Sequence, residues 1–167
     1  MWRKTIIRVW PMRKPPAPGN EGNSMNLTAD DYLRMLCARI SEEERADLES
    51  NGDLVIGSYN RATMLRMLRD TESREKNVDT DLAYALENAL RSYLDRYMAD
   101  MPRGHKWVIL SCLYLSMVAG EPMHPQAITG WRREGDRYYC RAREDTPDST
   151  CRWCVCRPYS ELSGPEL

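Results

Sequence analysis

The chain contains no phenylalanine, only two histidines (His105 and His124) and no apolar run long enough to cross a bilayer. Each shortage excludes something. Without Phe, the core must be filled by Leu, Met, Tyr and Trp, and ten Met make part of that packing adaptable. The longest apolar stretch, 107–118, falls short of the ~20 residues a transmembrane helix needs. Ile6-Ile7 is cut at once by Arg8, and no small-residue cleavage site follows an adequate apolar core, so no secretory signal is legible. The expected setting is the cytoplasm, with no membrane partner. A glycine-rich phosphate loop, a His-Glu-x-x-His helix and a Ser-His-Asp order are all missing, so the sequence names no reaction and leaves enzymatic activity undecided.

Charge of one sign is also lacking. The 24 Lys and Arg nearly balance the 25 Asp and Glu, which gives no whole-protein pull toward nucleic acid or anionic lipid. The balance hides an asymmetry: residues 1–24 hold Arg3, Lys4, Arg8, Arg13 and Lys14 against Glu21, a net of +4, so residues 25–167 carry −5. With four of the ten prolines and a Gly-Asn-Glu-Gly-Asn run, 1–24 reads as a disordered, basic leader. Met25 stands just before a helix start and is an alternative initiator to Met1.

What is present suits a single domain. The 167 residues are enough for one real core, and 42% hydrophobic with 29% charged residues is the make-up of an ordinary folded chain. Helical spacing begins at Leu33, Leu36, Cys37 and Ile40 behind a Thr28 cap, with Asp30 and Asp31 in the first turn. Glu42 to Asp47 reads as a charged, solvated stretch, and Asn51-Gly52-Asp53 as a break. A second helix is expected from about Tyr59 to Arg69, burying Met64, Leu65 and Leu68. A third carries Leu82, Leu86, Ala89, Leu90, Tyr93 and Tyr97 behind a cap at Asp79 or Thr80. The fourth, about His105 to Ala119, is apolar nearly all round and should run through the centre of the bundle. Pro122 and Pro125 end helical structure, and the Glu134-Gly135-Asp136 turn followed by Tyr138-Tyr139 reads as a short hairpin.

Four of the six cysteines crowd into the last third: Cys140, Cys151, Cys154 and Cys156. A Cys-x-x-Cys turn lets two thiolates reach one ion, and a distant Cys with a fourth group completes the tetrahedron zinc prefers. In a reducing compartment such clustering points to metal rather than disulfides. Cys140, Cys151 and Cys154 supply three ligands, and His124 and Cys156 compete for the fourth place. Spacing favours Cys156, but an extended Cys154-Val155-Cys156 aims its two thiols apart, which favours His124. A zinc ion is the expected cofactor, with an iron-sulfur cluster on the four cysteines as the alternative. Cys37 and Cys112 fall on apolar helical patterns and read as buried hydrophobes.

Met123-His124-Pro125, Tyr138-Tyr139-Cys140 and Cys151-Arg152-Trp153-Cys154 resemble, in order and spacing, the C-terminal signature of an uncharacterised archaeal family found mostly in methanogens, domain of unknown function 2115. That signature runs Leu-His-Pro, a glycine-containing segment, Tyr-Tyr-Cys-Pro and Cys-x-Phe-Cys. The resemblance covers roughly the C-terminal third and implies His124, Cys140, Cys151 and Cys154 as the shared constellation. Arg141 stands where proline is usual, and the double glycine before the hairpin is missing. The family carries no activity to transfer.

The expected fold is mainly α: about four helices around one buried apolar helix, with a small C-terminal hairpin and a Cys-rich zinc knuckle at 121–158 in a single domain spanning 25–167. The expected role is a non-enzymatic interaction module, its partner another protein. An iron-sulfur or zinc-dependent redox or metal enzyme is one alternative; seven arginines between Arg132 and Arg157, set among Trp131, Tyr138, Tyr139 and Trp153, make an RNA-binding module another. Glu134, Asp136, Glu144, Asp145 and Asp148 lie among them, and charge that is paired locally or simply solvated is the stronger expectation.

Overall fold

The computed structural model describes residues 27–164. The leader at 1–24 and the Met25 alternative lie outside the described residues. The architecture is mainly helical with two small sheets, in the order β1 (Leu27–Thr28), α1 (Ala29–Cys37), α2 (Glu42–Ser50), α3 (Ser58–Arg69), β2 (Asn77–Val78), α4 (Thr80–Tyr97), α5 (Pro102–Leu113), a π-helical segment (Tyr114–Ala119), α6 (Gln126–Thr129), β3 (Arg132–Glu134), β4 (Arg137–Cys140) and β5 (Arg157–Pro158).

The apolar helix is central, as its composition predicts. Helix α5 packs between α3 and α4, and its π-helical continuation meets α1. Ile109, Leu110, Leu113, Tyr114, Leu115 and Val118 are almost wholly buried. Pro102 opens α5, where its missing N–H costs nothing. Gly104 sits so close to the backbone of residue 55 that an added Cβ would stand 3.2 Å from the Val55 carbonyl oxygen. Any other residue there would push the neighbouring loop outward. The segment ends at Gly120, whose left-handed backbone (φ +66) favours glycine.

Caps fix where the helices begin. Thr28 Oγ1 accepts from the Asp31 N–H, and Asp79 accepts from the Leu82 N–H at 2.9 Å. The buried stripe of α4 is Ala83, Leu86, Leu90 and Leu94. Tyr93, Tyr97 and Leu82, expected inside, are instead exposed, because the packed row is displaced around the helix by one residue. In α3 the buried residues are Thr63, Met64 and Met67, while Leu65 and Leu68 are only partly covered.

The 42–47 stretch, read as solvated coil, is the first two turns of α2. Ser41 and Glu44 form a reciprocal capping box, and Leu48 anchors the helix in the core. At its far end Arg61 donates to the carbonyls of Asp47, Leu48 and Gly52 at 2.9, 3.0 and 3.1 Å, satisfying acceptors that the helix leaves open.

The hairpin is present as β3–β4, in the register Arg132↔Tyr139, Arg133↔Tyr138 and Glu134↔Arg137. A third strand, β5, runs parallel to β4, with Tyr139 beside Arg157 and Cys140 beside Pro158. This return of the chain brings the last cysteine against the first of the cluster. Among the described residues no helix is long and apolar enough to cross a membrane.

Candidate metal centre

Strand β4 ends at Cys140, which is buried, and the chain then loops through 141–149 to a 3-10 turn at Thr150–Trp153 that carries Cys151. Ser149 caps that turn by accepting from the Cys151 N–H at 3.1 Å, and the Cys154 N–H closes it onto the Cys151 carbonyl at 3.0 Å. Two further bonds tie the turn to the body. Ser116 of the π-helical segment donates to the Trp153 carbonyl at 2.5 Å. Arg143 donates to the Cys151 carbonyl at 3.1 Å and to the Cys156 carbonyl, and pairs with Asp145 at 3.0 Å. One guanidinium thus clamps both sides of the Cys-x-x-Cys turn. The structure gives Arg143 an internal role rather than a surface one.

All five expected ligands, His124, Cys140, Cys151, Cys154 and Cys156, line one cleft of about 730 Å³ between α4 and the C-terminal segment. Their electrostatics are coupled. The Cys156 thiol, which faces the Cys154 sulfur, is the main cause that holds Cys154 at about 6; burial opposes this, while the backbone N–H groups of Cys156 and Met123 and the imidazole of His124 assist. Cys156 is pushed up in turn, first by Cys154, then by burial and by the nearby Cys140.

Cys154 and Cys156 thus act on each other across the single residue Val155. Cys154 keeps an extended backbone, but the segment between the 3-10 turn and β5 is not a paired strand, so the strict two-residue alternation is lost. Cys156 is buried and interacts with both Cys140 and Cys154; His124 is exposed and acts on Cys154 alone. The expected tetrahedron is not preassembled: among the described residues no three His, Cys, Asp or Glu side chains converge closely enough to hold one ion. What the fold supplies is a shared cleft, with thiols gathered at one end.

The profile of a family described as an uncharacterised protein conserved in archaea, domain of unknown function 2115, matches residues 25–158. The chain belongs to this family. The match contains every cysteine and both histidines. A relative of the family's kind, the UPF0305 protein MJ0646 of Methanocaldococcus jannaschii, is 26% identical over 98 residues, which cover 54% of this chain and 60% of the relative. The chain thus spans about three fifths of the curated relative it matches. No solved structure matches.

Cys112 is fully buried at the floor of the cleft, where burial pushes its thiol up to about 12, and Cys37 is likewise raised by burial. Cys112 is buried as the apolar pattern predicts, while Cys37 is only half-buried. His105 is not at the cleft; its Nε2 lies 2.7 Å from the Met98 carbonyl and ties the start of α5 to the end of α4.

A second concave site, of about 720 Å³, escaped the sequence reading. There the Tyr114 hydroxyl donates to Asp70, Arg74 grips the same carboxylate through both nitrogens, and Arg66 lies over the Tyr114 ring at 5.3 Å while pairing with Glu121. The signal was a lone Tyr in an apolar helix, which needs a partner when buried. The partner sits 44 positions away, beyond any periodicity.

Proposed function

We propose that this protein is a metal-binding, non-enzymatic interaction module, its C-terminal third held by a zinc ion on Cys140, Cys151 and Cys154, with His124 as fourth ligand and Cys156 as its competitor. The observation that carries the reading is that all five side chains line one cleft although they are spread over 33 positions of sequence. Cys154 is already biased toward thiolate, the form a metal needs, by its neighbours in the cleft. Cys, Cys, Cys and His is an ordinary donor set for structural zinc.

The ion's first role is folding. Beyond Gly120 the structure offers three strands of two to four residues and a few short turns, with little buried apolar surface of its own. Structural zinc contributes roughly 10 kcal/mol or more of apparent binding free energy in small fingers. Ligands that share a cleft without being drawn together are what such coupling needs: the ion closes the tetrahedron as it binds.

Metal content of purified variants tests the reading. Cys151→Ser and Cys154→Ser should each lose the ion and loosen 121–158 while most of the helical circular dichroism persists. His124→Ala and Cys156→Ser, compared side by side, identify the fourth ligand by which one lowers zinc affinity more. Unchanged metal content in both Cys151→Ser and Cys154→Ser defeats the site.

A further inference from the structure

The arginines of the C-terminal sheet are largely free. Arg143 is consumed by its clamp, and Arg157 makes a loose, exposed pair with Glu161 at 3.4 Å. Arg132, Arg133, Arg137, Arg141 and Arg152 are exposed, and among the described residues none of the five has a carboxylate within ion-pair distance. Of the two expectations for these charges, local pairing and solvation, the five follow the second. Asp145 serves Arg143, and Glu134 stands opposite Arg137 in register without reaching it. Residues 131–159 carry seven Arg against five Asp and Glu, a net of +2, whereas 25–130 carry twelve Lys and Arg against seventeen Asp and Glu, a net of −5. Positive charge in the described domain is thus concentrated at one end.

Register then fixes how these charges are laid out. Arg132, Tyr139 and Arg157 lie side by side across β3, β4 and β5, and Arg137 follows two residues along on the same face. Neighbouring strands are ~4.8 Å apart, so the backbones of Arg132 and Arg157 stand ~10 Å apart on either side of the buried Tyr139, while Arg133 and Tyr138 alternate to the other face. Aromatic rings accompany the free arginines. Arg133 lies over Tyr138 at 5.4 Å, Arg141 over Tyr159 at 5.5 Å and Arg152 over Trp153 at 4.9 Å, and Trp131 meets Tyr138 edge-on at 5.3 Å. Trp131, Tyr138, Trp153 and Tyr159 are all partly open to solvent.

We infer that this sheet binds a single-stranded nucleic acid, its unpaired arginines meeting phosphates and its half-exposed rings stacking on bases. Exposed guanidiniums without carboxylate partners, at Arg132, Arg133, Arg137, Arg141 and Arg152, suit a polyanion. Rings set among them suit unpaired bases, which offer a stacking face that a duplex hides. The sheet presents no long helix for a major groove, which argues against duplex DNA. The proposal goes beyond the zinc reading and names the partner's chemistry.

Fluorescence anisotropy of the full chain tests it, with labelled oligouridylate and oligothymidylate of about twelve nucleotides and a duplex of equal length. The single strands should bind well ahead of the duplex, with affinity falling steeply between about 50 and 200 mM salt. A difference between the two single strands assigns RNA or DNA within the same proposal. The triple variant Arg132→Gln, Arg137→Gln, Arg141→Gln should lose at least about tenfold in affinity and flatten the logarithmic salt slope by about two. Trp131→Leu should weaken single-strand binding without changing that slope. All four positions are on the surface, and circular dichroism confirms that the variants fold. Zinc is measured on the same samples, so loss of the metal reading and loss of this one are separately visible. The proposal is overturned if neither single strand binds at 50 mM salt, if the duplex binds as well as the single strands, or if the triple variant binds like the parent.

Discussion

The hydroxyl of Tyr114 donates to Oδ2 of Asp70 at 2.6 Å, joining the start of the π-helical segment to the end of α3. Arg74 holds both oxygens of the same carboxylate at 3.1 and 3.0 Å, and the Glu72 N–H adds a bond at 3.0 Å. A carboxylate whose side chain is only 7% exposed is therefore fully partnered. This is the condition under which a buried charge is tolerated. Two residues on in the same segment, Ser116 bonds the Cys-x-x-Cys turn, so one non-standard stretch of helix touches both concave sites. π-Helical insertions are frequent at functional sites.

Acid should weaken this domain through Asp70. Burial pushes its carboxyl up, but hydrogen bonds from Arg74, Tyr114 and the Glu72 backbone outweigh it and hold the group below its ordinary 3.8. A depressed folded value means that the unfolded chain binds the proton first. The contribution is therefore present above pH ~4 and lost as the pH falls through the folded value. Thermal midpoints measured from pH 7 to 2.5 should hold near neutrality and drop below about pH 4. Asp70→Asn should start lower at neutral pH and decline less. An equal decline in parent and variant would remove Asp70 from the account.

Removing the clamp should free the turn without touching the bundle. Arg143→Ala loses charge-assisted bonds to two carbonyls, each of the kind worth about 1.5–3 kcal/mol. Amide hydrogen exchange across 151–156 should then speed at least about tenfold, with helical circular dichroism unchanged. Arg143→Lys should rescue only in part, because one ammonium cannot span both carbonyls as the planar fork does. Exchange no faster in Arg143→Ala than in the parent would show that the clamp bears no load.

Ser41→Ala should cost about 1 kcal/mol in denaturant unfolding, the usual loss for a capping residue. Its side chain accepts from the Glu44 N–H at 3.1 Å, and the Glu44 carboxylate returns to the Ser41 N–H at 2.9 Å while also meeting Lys106 at 2.7 Å. A loss of a few tenths or less would place the weight of α2 on Leu48 alone.

Helix α2 also shows what the sequence disclosed and what it withheld. Its Ser-x-x-Glu cap went unread, and its only apolar residues are Ala46 and Leu48, so no periodic stripe marked it as helix. Helix α5 was legible because a helix apolar on every face has nowhere to go but the centre. In α4 the cap, left between Asp79 and Thr80, is Asp79, and Leu86 and Leu90 are buried as expected, but at the ends of the stripe Ala83 and Leu94 take the places read for Leu82 and for Tyr93 and Tyr97. The grouping of His124 with four cysteines in one cleft was readable from residue type and spacing. The approach of Cys154 to Cys156 was not, since it depends on a parallel return to β4 that no local signal announces. Arg143 was indistinguishable in sequence from its six neighbours, and only the loop it spans separates it from them.

The most direct test of the account is metal content and ultraviolet-visible absorption of the full chain purified without oxygen. One colourless zinc per chain, lost in Cys154→Ser, is the predicted result. A brown, iron-containing protein would contradict it and make Cys156 a cluster ligand, and a chain that carries no metal and takes up none on titration with zinc would contradict it outright.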